Sequence, residues 1–320
     1  MDHEENKRTM VQLAAKMGIP ITEKIEQLAL LKFHEVKIID LLPEMMIMIR
    51  SLFSEGEYTY HRKPITVIEN GLLISFQNVF NDGNEDDGKK GHANNFEHER
   101  AHVRIVPLHL ESEVRFSKQS HIKQITILIE AACLKQFLGK EQKKFIDLFV
   151  IEKTFWIDDF MSPEMAVLVD KIVNFSSEIP LPDFYYRLKS LELLYLLFKN
   201  LSKRETVSQH NMTSKDIEAI YRVRNAMVAS LDKPLPVKEL VQLSGMNELK
   251  LRKFFEQVFG KGLYSYFQHI RMQEAARLLK EEQLSVSEAG YKLGFSNLSH
   301  FGRLFEAHVG VKPKKWSSKT

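Results

Sequence analysis

Shifted by fifty residues, the last third of this chain falls on itself, and that internal repeat limits the possible folds more than any other feature. The shift places Asn247 on Asn297, Leu251 on Phe301, Lys253 on Arg303, Phe255 on Phe305, Glu256 on Glu306 and Gly260 on Gly310. In each copy a short helix reaches a glycine, Gly245 or Gly294, where a tight turn needs positive φ. A second helix then sets apolar residues four apart against the first, which is the geometry of a helix-turn-helix. Between the copies, residues 262–281 read as one helix of about twenty residues, spanning about 30 Å at about 1.5 Å per residue. Successive major-groove entries on one face of B-DNA lie about 34 Å apart, so one connector suits two units in adjacent grooves. Its Tyr266, Ile270, Ala275, Leu278 and Leu279 suit packing against both copies, as those of an ordinary core helix would.

Charge points the same way. Residues 211–320 hold 18 Lys+Arg and 11 Asp+Glu, a net +7, and the remainder holds 27 and 31, a net −4, within a total of +3. A basic third on an acidic body is the footprint of a domain that neutralises phosphate, and also of a solvated face. With 320 residues the chain is long enough for two domains with separate cores. The single cysteine, Cys133, excludes an internal disulfide and a multi-cysteine zinc site. A lone thiol is expected as a small buried apolar group and suits a reducing cytoplasm. Residues 1–20 hold no apolar run of signal-peptide length. The most apolar stretch, residues 184–201, is interrupted by Arg187, Lys189, Glu192 and Lys199. Neither secretion nor a membrane span is expected.

Upstream of the repeat the periodicity is strand-like. Clusters such as Thr66, Val67 and Ile68 or Leu72, Leu73 and Ile74 punctuate residues 35–80, and a second strand group covers residues 103–116 and 124–130. Residues 81–91 carry no large apolar side chain and read as an exposed loop. Ser162 and Pro163 read as an N-cap and first helical position. A further helix over residues 183–201 sets apolar residues on more than one stripe. It is either buried within its own domain or also one half of a homodimer seam. The fold class is therefore α+β: a mostly-β N-terminal domain with trailing helices (residues 1–205, strands about 35–130, helices about 163–201), a linker at 206–212, and an all-α domain at 213–317 built of two helix-turn-helix units joined by a long helix. Capping boxes are expected at residues 213–216 and 285–288, and Ser296 is expected to cap the last long helix.

Gly294 and Phe295, then Phe301, Phe305, Gly310 and Pro313, with the aromatic Trp316, resemble in order and spacing the signature of the AraC family of transcription regulators. The resemblance covers residues 213–317. It implies double-stranded DNA as partner, read in the major groove by Leu249, Lys250, Arg252 and Lys253 of the first recognition helix and by Leu298, Ser299, His300, Gly302 and Arg303 of the second. Arg and Lys suit guanine, Ser and His several base edges, and Leu a thymine methyl. Lys314 and Lys315, with Lys312, suit phosphate. Ala289, Gly290 and Ser317 depart from the residues usual in the family, and Gly302 inside a helix costs roughly 1 kcal/mol relative to alanine.

The family resemblance further implies a regulator, activator or repressor, working with RNA polymerase, and a cupin-like N-terminal domain that binds a small-molecule effector. Met161, Ser162 and Pro163, the leucine-rich helix after Pro182, and residues 296–301 resemble the siderophore-responsive subgroup. His92, His98, His102 and His109 lie close in sequence, but the ordered His and Glu spacing of a metal-binding cupin is absent. No metal, cofactor or catalytic residue is expected, since no phosphate loop, nucleophile elbow or zinc-protease motif occurs. A DNA-binding protein whose N-terminal domain only dimerises, and a cupin-type metalloenzyme with a DNA-binding tail, are the competing readings.

Overall fold

The computed structural model describes residues 30–80, 101–116, 118–150, 154–174, 179–204 and 210–318. The loop expected at 81–91, His92, His98 and most of the linker expected at 206–212 lie outside these residues. The chain passes from one compact unit to a second between Ser214 and Lys215.

The first unit holds β1 (Leu31–Leu42), β2 (Met45–Ser54), β3 (Tyr58–Arg62), β4 (Gly71–Phe80), β5 (His102–Pro107), β6 (Ser112–Phe116), β7 (Ser120–Glu130) and β8 (Ile157–Phe160). Six of them form one antiparallel sheet in the order β1-β2-β7-β4-β5-β8, and β3 pairs with β6 separately. Register explains why the sheet forms. Ile39, Ile47, Ile127, Ile74, Ile105 and Ile157 stand opposite one another in a row across all six strands. Five of the six are at most 4% exposed. Burial of each is worth about 1.5–3 kcal/mol. The row merges with α1 (Ala131–Leu138), α2 (Pro163–Val173) and α3 (Pro182–Leu201) into one core. Ser162 caps α2 as its sequence suggests, accepting from the Met165 amide at 3.3 Å with Pro163 in the first turn. Cys133 is buried in this core. β1 starts at Leu31, earlier than its pattern suggests, because bulges between Phe33 and Glu35 and between Asp40 and Leu42 break the alternation.

The opposite face of the same sheet carries two polar rows between apolar ones, and most of their members are buried. Arg50, Gln124 and Gln77 stand in one row, Thr126, Ser75 and Arg104 in the next. The Gln124 amide donates to Ser75 Oγ at 2.6 Å and Gln77 Oε1 at 3.2 Å, and Arg50 Nε donates to Gln124 Oε1. Arg104 pairs with Asp158 at 3.0 Å, and the Arg50 guanidinium lies over Phe116 of β6.

The second unit is helical: α4 (Ser214–Ala229), α5 (Val237–Ser244), α6 (Glu248–Phe259), α7 (Leu263–Lys280), α8 (Val286–Lys292), α9 (Leu298–Val309) and α10 (Pro313–Ser317). Repeat partners do the same work in both copies. Leu251 and Phe301, Phe255 and Phe305 are all fully buried. Asn247 caps α6 through the Lys250 amide at 2.8 Å, and Asn297 caps α9 through the His300 amide at 3.0 Å. Asn297 thus takes the place expected of Ser296, because its carboxamide reaches the amide three residues on. Gly260 and Gly310 end these helices in the left-handed region, each amide donating to the carbonyl of its repeat's glutamate. Ser285 and Glu288 form the expected capping box. Asp216, a member of the other expected box, meets the Lys250 ammonium at 2.7 Å.

Candidate nucleic-acid interface

Each helix-turn-helix is set by a glycine turn. Gly245 at φ 68° turns α5 into α6, and Gly294 at φ 76° turns α8 towards α9. Behind α9, the buried Arg271 of the long helix α7 donates to the Leu293 carbonyl and stacks on Phe295 at 3.9 Å. Trp316 of α10 donates to the Ala276 carbonyl of α7 at 3.0 Å. With Phe301 and Phe305 turned inward, the other side of α9 is left to solvent, and Leu251, Phe254, Phe255 and Val258 orient α6 in the same way.

The residues expected to face DNA are not equivalent in this geometry. On α6, Leu249 is 66% exposed at the start of the helix. Lys250 reaches back to the Asp216 carboxylate at 2.7 Å and lies over the Phe254 ring, so its ammonium is held against α4. Arg252 is exposed but bridged to Glu248 one turn earlier at 2.7 Å, a pair of a few tenths of a kcal/mol that a stronger partner displaces. Lys253 is exposed without an ion pair among the described residues. On α9, Ser299, His300 and Arg303 are exposed, and Arg303 too has no ion pair among the described residues. Leu298 is only half-buried, its side chain resting where a Cβ on Gly290 would stand. That contact gives a packing reason for the departure at Gly290, since a larger residue would push Leu298 away. Gly302 lies half-buried on the shoulder of the exposed face, and Lys314 and Lys315 are exposed on α10.

The polar rows of the N-terminal sheet are the one cluster that the sequence reading missed. The described members of the histidine cluster, His102 and His109, belong to no group of three His, Cys, Asp or Glu placed to hold a metal ion among the described residues. No helix among those residues is long and apolar enough to cross a membrane.

The profile of a helix-turn-helix domain matches residues 240–319. Regulatory protein PchR of Pseudomonas aeruginosa is 32% identical over 123 residues, 38% of this chain and 42% of that protein. The HTH-type transcriptional regulator GlxA of Rhizobium meliloti is 31% identical over 95 residues, 30% and 29% of the two chains. The HTH-type transcriptional activator RhaR of Klebsiella pneumoniae is 25% identical over 131 residues, 39% and 46%. The chain spans less than half the length of each of these curated relatives. A solved transcriptional regulator of Chromobacterium violaceum, described as AraC-type in its DNA-binding domain, covers 33% of this chain and 96% of its own at 21% identity and a TM-score of 0.31. The C-terminal unit, with its paired glycine turns, capped second helices and matching profile, is a helix-turn-helix domain.

Proposed function

We propose that the chain is a transcription regulator that binds double-stranded DNA by placing α6 and α9 in successive major grooves. The observation that carries this reading is the match of roles between the repeats: the same positions cap, pack and end both helices, and both leave cationic positions outward. Arg303, Lys253, Lys314 and Lys315 are exposed and lack intramolecular ion pairs among the described residues, so phosphate or a base edge takes them at no internal cost. At 18 residues, α7 spans about 27 Å, a length that supports adjacent grooves.

Residues 1–205 act in this reading as a sensor and dimerisation domain, residues 206–212 as a linker and residues 213–317 as the reader, at work in the cytoplasm. The buried polar rows around Arg50, Gln124 and Arg104 support a small polar or anionic effector, since burying so many polar groups in a sheet costs stability that an apolar face would not. The resemblance at residues 161–163 and 296–301 supports a siderophore as that effector. Activation of transcription is supported by the relatives named as transcriptional activators, and RNA polymerase is the partner that the family resemblance implies. Homodimerisation is supported by the exposed stripe of α3.

Binding of the full chain to a duplex selected from random sequence tests the reading. Affinity should fall steeply with salt as counterions are released. Arg303→Ala should cost about 1–3 kcal/mol on the selected duplex and little on an unrelated one. Arg252→Ala should cost less than Arg303→Ala, because Arg252 first gives up Glu248. Lys314→Ala should weaken both duplexes alike. Unchanged affinity and preference in the Arg303→Ala chain would remove α9 as a reader.

A further inference from the structure

Gly302 is the one glycine among the described residues for which the fold supplies no reason. Gly139, Gly245, Gly260, Gly294 and Gly310 have positive φ. At Gly56, Gly71 and Gly290 a Cβ would approach a neighbour to 3.0 Å or closer, and Gly262 is the N-cap of α7. At Gly302 the backbone is helical, and nothing lies within 4 Å of where a Cβ would stand. The position therefore gives up roughly 1 kcal/mol of helix stability, and no turn, cap or close packing within the described residues compensates for it.

Its place makes the missing side chain consequential. Gly302 lies one turn from Ser299 and beside Arg303, both exposed on the outward side of α9. Under the fifty-residue shift its counterpart is Arg252, with one of the longest side chains, and Leu298 stands where α6 has Glu248. The helices share caps, core positions and terminating glycines but differ completely here.

We propose that Gly302 is a specificity-determining position, the point of closest approach between α9 and DNA. Its bare backbone lets α9 sit deeper in the major groove than α6 does, which brings the short Ser299 side chain within reach of a base edge. The two repeats then read by different means, α6 with long side chains and α9 with close backbone approach. This rests on the DNA-binding reading above.

The test uses the full chain, a duplex selected from random sequence by the parent protein, and an unrelated duplex of the same length. Gly302→Ala should unfold at a temperature no lower than the parent, with the helical transition raised by a few degrees. It should bind the selected duplex at least tenfold more weakly while holding the unrelated one within twofold. Gly302→Arg, which copies the first repeat, should also lose the selected duplex but gain on the unrelated one through its added charge. Undiminished binding of the selected duplex by Gly302→Ala, or an equal loss on both duplexes, would overturn the inference. A parent chain that selects no sequence at all would instead sink the DNA-reading function, and this inference with it.

Discussion

Alanine at position 294 is expected to abolish specific DNA binding by the full chain and to unfold at least the second helix-turn-helix. A residue with a side chain meets two separate penalties there. At φ 76° an L-residue is in the left-handed region, at roughly 1–2 kcal/mol. The added Cβ would also stand 2.0 Å from the carbonyl oxygen of Asp232 and 2.7 Å from its carbonyl carbon. These are backbone atoms of the segment between α4 and α5, so no rotamer change relieves the overlap. The turn of the second repeat is thus seated directly on the segment that leads into the first repeat. Together the penalties are on the order of 4 kcal/mol or more, the range reached only by specific structural failures. Gly245 is the control. It has nearly the same φ, 68°, but nothing within 4 Å of its Cβ direction, so Gly245→Ala should cost only the backbone strain. Thermal unfolding and duplex binding of the two variants check this, with the β-sheet signal of the N-terminal unit retained in both. A Gly294→Ala chain that binds within twofold of the parent would refute the close seating.

How far the sequence could be read depended on whether a signal was local. Caps and turns are local, so Ser162, the Ser285 and Glu288 box, and the glycines at 245, 260, 294 and 310 were legible from residue type and spacing. Repeat positions were legible for a related reason: two copies of one packing problem select the same residues, and Phe301 and Phe305 are buried as Leu251 and Phe255 are. The polar rows of the N-terminal sheet were not legible. Alternation of Ile125, Ile127 and Ile129 with Gln124, Thr126 and Leu128 reads as a sheet half-exposed to water. Only strand order and register reveal that Gln124 stands between Arg50 and Gln77, buried from solvent. The outward cations of the reader were likewise legible as residue types but not in their availability. Lys250 looks equivalent to Lys253 in the sequence, yet an aspartate 34 residues earlier holds its ammonium. That pairing depends on how α4 lies against α6, which no spacing within α6 encodes.

Replacing Leu188 and Leu191 together by aspartate is expected to convert the proposed homodimer into a monomer. On α3, Phe184, Leu188, Leu191 and Tyr195 are 66, 53, 40 and 64% exposed, and their 4-3-4 spacing sets them in one stripe. Tyr186, Ser190, Leu193 and Leu197 meanwhile bury the other side against the unit's own core. A solvent-facing row of large apolar side chains at this spacing is the seam by which two helices pair, and exposed contiguous apolar surface of this kind marks an interaction site. In the proposed homodimer a second copy of the chain would cover the stripe, an identical stripe supplying matching apolar layers. Removing two leucines from such a seam forfeits about 2 kcal/mol each, and seating carboxylates there adds desolvation. Dimer affinity should therefore fall by about a thousandfold or more, about 1.4 kcal/mol being tenfold. Monomer stability should change little, because both sites already face water. Sedimentation equilibrium of the parent and the double variant at micromolar concentration measures this directly. A monomeric parent, or a double variant that remains dimeric, would exclude α3 as the seam. In the expected case, duplexes carrying two copies of the selected site should lose their cooperative binding to the double variant, while a single site is bound as before. That outcome would assign α3 the pairing of sites and leave the reading of each site to α6 and α9.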